Sequence, residues 1–140
     1  MSDDVSLAIG DRGAASFLLA FAVTQLVEVP IYLRALQGRR PSPWITRASI
    51  AFGASAITHP IVWFVMPWAT TALYRIALRA GAPALGELGR TLLYGALAEG
   101  FAVLVEGLYL RGFGVKRAMI WSISANAASV VVGTLAVRLL

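Results

Sequence analysis

The sequence predicts an all-α, polytopic integral membrane protein with four transmembrane helices in an up-down bundle. Three observations carry this. Hydrophobic residues make up 59% of the 140 and charged residues only 14%, where soluble domains carry about 25% charge. Mean hydropathy is +0.76, and a water-exposed chain of this kind would present large apolar patches. The apolar residues also gather into four continuous runs of about 22 residues, each long enough for a helix to cross a hydrocarbon core of about 30 Å. Lipid leaves only helices or a closed barrel to satisfy the backbone, and runs that do not alternate exclude the barrel.

The first run spans about 14–36. The stretch before it, MSDDVSLAIGD, is acidic where a secretory signal is basic, and the run is too long for a signal's apolar region, so it is expected to be retained rather than cleaved. The second run covers about 45–67, the third 88–110 and the fourth 118–139. The connections at about 37–44 and 112–117 are short and rich in Gly, Pro and Arg, which makes runs one and two, and three and four, antiparallel neighbours. The middle connection reads WATTALYRIALRAGAPALGELGR, with Trp68, Arg75 and Arg79 at helical intervals. It suits either an interfacial helix over about 68–80 or an extension of the second run bent at Pro67. The chain is expected to form a single transmembrane domain.

Twelve basic residues against seven acidic give a net charge of +5. In a soluble protein this would raise nucleic acid as a partner. Here the basic residues flank apolar runs and serve as anchors facing the lipid bilayer, so no nucleic acid is expected. Arg34, Arg39, Arg40, Arg47, Arg111, Lys116 and Arg117 fall on one side. Arg12, Arg75, Arg79, Arg90 and Arg138 fall on the other, diluted by Asp3, Asp4, Asp11 and Glu87. The bias favours both termini on the non-cytoplasmic side of a bacterial plasma membrane. The absence of cysteine excludes disulfides, thiolate catalysis and thiolate-held metals.

A weak 2+2 parallel repeat is visible. The first helix ends EVPIYLR and the third EGLYLR, which matches Glu28 with Glu106, Tyr32 with Tyr109 after one residue of slippage, and Arg34 with Arg111. Aligning Ser55 with Ser122 pairs His59 with Asn126.

Candidate functional residues follow from depth. Glu28 lies just past the middle of the first run, while His59, Glu99 and Asn126 lie near the middles of the second, third and fourth. Glu106 sits seven residues after Glu99 on the same helical face, about 10 Å further along. A carboxylate at mid-membrane is costly unless protonated, paired or wetted, so such groups are functional hypotheses by default. Thr24 and Gln25 share a polar face with Glu28, and Ser122, Asn126, Ser129 and Gly133 form one stripe on the fourth helix. The small residues of that stripe also suit simple helix packing. Pro30 and Pro60 each follow closely on a polar residue and would free a carbonyl one turn earlier, that of Leu26 and of Ala56.

His59, Glu28 and Glu99 would form the inner ligand set for a divalent metal such as zinc, manganese or iron(II), with Asn126 or Glu106 behind them. The same residues, with Ser122, Thr24 and Gln25 as further relay groups, could pass protons, which points to ion- or proton-coupled transport. Two alternatives stand beside this. One is an intramembrane enzyme, with Glu28, His59 and Glu99 as catalytic groups in metal-assisted or general-base hydrolysis or transfer on a lipid or peptide. The other is an assembly subunit of a larger membrane complex, held by buried polar bonds. No nucleotide loop or serine-hydrolase elbow is present. In size and helix count, and in Glu28 on the first helix, the chain resembles the small multidrug transporters. That likeness implies a homodimer or larger complex. His59, the carboxylates of helix three and the outside amino terminus depart from the family's pattern.

Overall fold

The computed structural model describes residues 13–37 and 43–139, with side chains through Ala136. The acidic leader, Arg12, Arg39, Arg40 and the side chain of Arg138, on which part of the charge bias rests, lie outside the described residues. All regular elements among the described residues are helical: α1 (Ala14–Ala35), α2 (Trp44–Pro60), a π-helical segment (Ile61–Val65), α3 (Met66–Arg79), α4 (Glu87–Gly112) and α5 (Ala118–Leu139). Among the described residues four helices are long and apolar enough to cross a membrane, namely Ala14–Ala35, the continuous Trp44–Arg79, Glu87–Gly112 and Ala118–Ala136.

The second of these does not stop at Pro67. Residues 68–79 continue from the second span instead of forming a separate helix, and 36 residues amount to about 54 Å of helix. Two prolines explain how it continues. Pro60 has no N–H to donate, and after it the ladder changes register, so that the Met66 N–H donates to the Ile61 carbonyl five residues back. Pro67 has no N–H either, which leaves the Val62 carbonyl without its backbone donor. The Tyr94 hydroxyl, on α4, donates to that carbonyl at 3.2 Å.

Helix ends are closed locally. After α3, Gly81 takes φ +88° while its own N–H donates to Leu78 and that of Ala82 to Ala77. After α4, Gly114 takes φ +72°, with the Gly114 N–H on Arg111 and the Val115 N–H on Leu110. Both are left-handed terminations that glycine adopts without the strain of a Cβ. The second one turns α4 into α5 within five residues.

α1 packs against α2 and α5, and α4 packs against α5, α2 and α3. Tyr32, Leu36, Ala51, Ala54, Leu110, Val115, Ala118 and Ala125 form one buried cluster, gathered where α1 and α4 finish and α2 and α5 begin. Small residues let the backbones approach there: a Cβ on Gly107 would strike the Met119 sulfur, and one on Gly53 would meet the Tyr109 hydroxyl. Toward the other end the helices are much less enclosed. No described residue of α1 before Glu28, of α4 before Ala98 or of α5 after Asn126 is buried.

Candidate functional site

The site begins at the inner edge of this packed core. Glu106, on α4, is 1% exposed and accepts a hydrogen bond from each of the other three spanning helices. Thr58 of α2 donates to Oε1 at 2.5 Å, Asn126 of α5 donates to Oε2 at 2.8 Å, and the Tyr32 hydroxyl of α1 also donates to Oε2. Asn126 is itself held by the Ser122 carbonyl at 3.0 Å, and the Ser122 hydroxyl donates to the Val103 carbonyl at 2.9 Å. One carboxylate therefore ties four helices together.

Glu28 is equally buried, at 2% exposed, but held differently. The hydroxyls of Ser55 and Ser129 face its carboxyl group, while Oε2 has no hydrogen-bond partner. Ser55 in turn accepts from the Gln25 amide at 3.1 Å, and Ser129 and Thr24 meet at 3.5 Å. The imidazole of His59 also carries a buried nitrogen, Nε2, with no partner. Its ring lies among aromatic faces: Phe21 at 5.3 Å, Phe17 at 5.4 Å and Trp63, nearly parallel, at 6.0 Å.

A partly open cavity of about 190 Å³ lies beyond Glu106 from the packed core. Glu28, Glu99 and Glu106 all line it, together with His59, and among the described residues no lysine or arginine does. Asn126, Thr24, Ser129, Thr58, Trp63 and Tyr94 also contribute to its wall. The π segment and the Tyr94 bond to Val62 position the last two of these. The cavity thus brings together the side chains that depth in the sequence had singled out on four separate runs.

Glu28, His59 and Glu99 share a cavity, but among the described residues no group of three His, Asp or Glu side chains is arranged to hold a metal ion. Each comes from a different helix. Glu106, expected behind Glu28 and Glu99, lines the same cavity and accepts from Tyr32, Thr58 and Asn126. It is the most completely bonded group of the set. Ser122 and Gln25 support neighbours and do not line the cavity.

Sequence reasoning missed Thr58, Trp63 and Tyr94, and noticed Tyr32 only as part of a repeat. Tyr32 and Thr58 had a usable signal, since Tyr32 lies four residues after Glu28 and Thr58 three after Ser55. Trp63 and Tyr94 had none beyond being aromatic. Comparison with known protein families, curated proteins and solved structures gives no match for this chain.

Proposed function

We propose that this protein is a proton-coupled transporter, or the membrane subunit of one, in a bacterial plasma membrane. In this reading the four spans run up and down with both termini on the non-cytoplasmic side. The two halves form a weak parallel repeat, and the working unit is a homodimer or a larger complex. Glu28 and Glu99 take up and release the coupling proton, with His59 as a neighbouring acceptor or donor. Glu106 anchors the helices around them.

The observation that carries this reading is the composition of one cavity: three carboxyl groups and an imidazole, with no lysine or arginine among the described residues that line it. Ionised carboxylates at membrane depth cost several kcal/mol each unless compensated. Three donors compensate Glu106, whereas Glu28 keeps an oxygen without a partner. In this reading a proton or an entering cation completes the compensation at Glu28 and Glu99, and exchange between the two is the essence of coupling. A purely structural cluster would pair its groups, yet Glu28 Oε2 and His59 Nε2 are unpartnered. A hydrolase would set the imidazole against a carboxylate or a hydroxyl, which the unpartnered Nε2 does not support.

The test uses purified protein in liposomes that hold an inside-acid pH gradient and a lumenal pH dye. The gradient is challenged in turn with alkali, alkaline-earth and small organic cations. Liposomes carrying Glu28→Gln or Glu99→Gln share the same passive leak. At least one cation is expected to discharge the gradient ten-fold faster through the native protein than through either variant. Equal discharge for every cation in the series would overturn the reading.

A further inference from the structure

The cavity also constrains what the transported cation is, and this inference rests on the transport reading for its purpose though not for its test. Three features decide the chemistry. The walls are acidic, with three carboxyl groups and, among the described residues, no lysine or arginine, which selects a positive charge. The acidic groups do not close on a common point, and about 190 Å³ is room for about six waters, far more than a bare inorganic ion fills. It is also well below the roughly 300–1,000 Å³ of pockets that take drug-sized molecules. The rest of the wall is divided: Thr24, Thr58, Asn126 and Ser129 are polar, while Trp63, Tyr94, Val62 and Ala102 give it an apolar and aromatic part, and Phe17 and Phe21 back the His59 ring at 5.4 and 5.3 Å. Aromatic faces beside carboxylates suit a cation carried on a hydrocarbon body.

The acceptors narrow the class further. Carboxylate oxygens accept from N–H donors, and a primary ammonium brings three where a quaternary one brings none. We infer that the cavity binds a small primary ammonium ion with an apolar body, its N–H groups on Glu28 and Glu99 and its hydrocarbon part against Trp63 and Tyr94.

Benzylammonium chloride is the probe, titrated calorimetrically into the full chain in lipid nanodiscs, with empty nanodiscs subtracted. Benzyl alcohol has nearly the same shape without the charge, and benzyltrimethylammonium keeps the charge without the donors. Saturable binding of benzylammonium is expected, at least ten-fold tighter than either analogue. Glu99→Gln is expected to weaken it at least ten-fold, and Trp63→Leu about five-fold, with Trp63→Phe recovering part of the loss. Circular dichroism and size exclusion establish that each variant folds. If Glu99→Gln does not fold, the two analogues and the Trp63 pair decide the matter.

Benzyl alcohol binding as tightly would reduce the site to an apolar pocket and overturn the inference. So would benzyltrimethylammonium binding as tightly, or sodium or calcium binding stoichiometrically while benzylammonium fails to bind. The two readings fail separately. Tight benzylammonium binding without coupled proton movement would remove transport and leave the site. Coupled movement of another cation without benzylammonium binding would do the reverse.

Discussion

Where α1 and α4 finish, Tyr32, Leu36, Leu110 and Val115 are sealed against α2 and α5, and a glycine lets Met119 approach the α4 backbone. Where the same two helices begin, nothing described before Glu28 or Ala98 is buried, and a cavity separates the helices. The two glutamates at the boundary share the difference. Glu106 accepts from three helices, whereas Glu28 keeps an oxygen without a partner. Apolar composition does not explain this contrast, because lipid receives leucine as readily as a protein core does. Small residues and saturated hydrogen bonds make the tight end. Polar groups without partners mark the open end.

The sharpest way to break that comparison is to exchange the fates of the two glutamates. Glu106→Ala leaves Tyr32, Thr58 and Asn126 without their common acceptor. Orphaned buried donors cost about 1–3 kcal/mol each, and less where membrane groups find new partners, so a loss of about 3 kcal/mol is expected. Glu28→Gln keeps the shape of a side chain whose bonds are already incomplete, and a change within about 1 kcal/mol is expected. Denaturation of both variants in the same detergent measures the difference. Equal losses would mean that Glu28 is as structural as Glu106.

The glycines offer a second, smaller contrast. Gly107→Ala would drive a methyl group into the Met119 sulfur, and overpacking of this kind costs about 1–3 kcal/mol. Gly100→Ala, on the same helix, meets nothing within 4 Å. Alanine gains up to about 1 kcal/mol over glycine in a helix interior, so this variant is expected to be neutral or stabilising. Thermal unfolding of the pair reads the sign. A stabilising Gly107→Ala would show that α4 and α5 have slack at the end described as tight.

Much of the fold was legible in the sequence because the demands of lipid are simple. Four apolar runs of sufficient length become four helices, and their ends fell within a few residues of the expected places except at Pro67. There the sequence offered two outcomes, and the continuous one carries a hydrogen bond from Tyr94 of another helix to the Val62 carbonyl. The candidate site was legible in membership but not in rank. Depth alone found Glu28, His59, Glu99, Glu106 and Asn126, because a strongly polar side chain at mid-span has few innocent explanations. Depth could not say that Glu106 would be saturated and Glu28 would not. The deciding donors are hydroxyls, and a hydroxyl on a helix can equally bond its own backbone. Thr71 and Ser124 do so, each to a carbonyl four residues back, whereas Thr58 also reaches a carboxylate on another helix.

The smallest effect bears on the join between the two ends. Tyr94→Phe removes one hydroxyl and leaves the ring in the cavity wall. In the native chain that hydroxyl takes over a carbonyl that Pro67 cannot serve, inside the stretch where the helix widens beside His59 and Trp63. Without it the Val62 carbonyl is stranded in a region with few other donors, at a cost of about 1 kcal/mol. That cost is modest for the whole protein but concentrated on one turn. Hydrogen exchange is therefore the better measure. Amides of Ile61–Met66 are expected to exchange about five-fold faster in the variant, while those of Leu110–Ala118 keep their native rates. Acceleration of both stretches together would mean that the two ends behave as one cooperative unit, and the division drawn between them would fail.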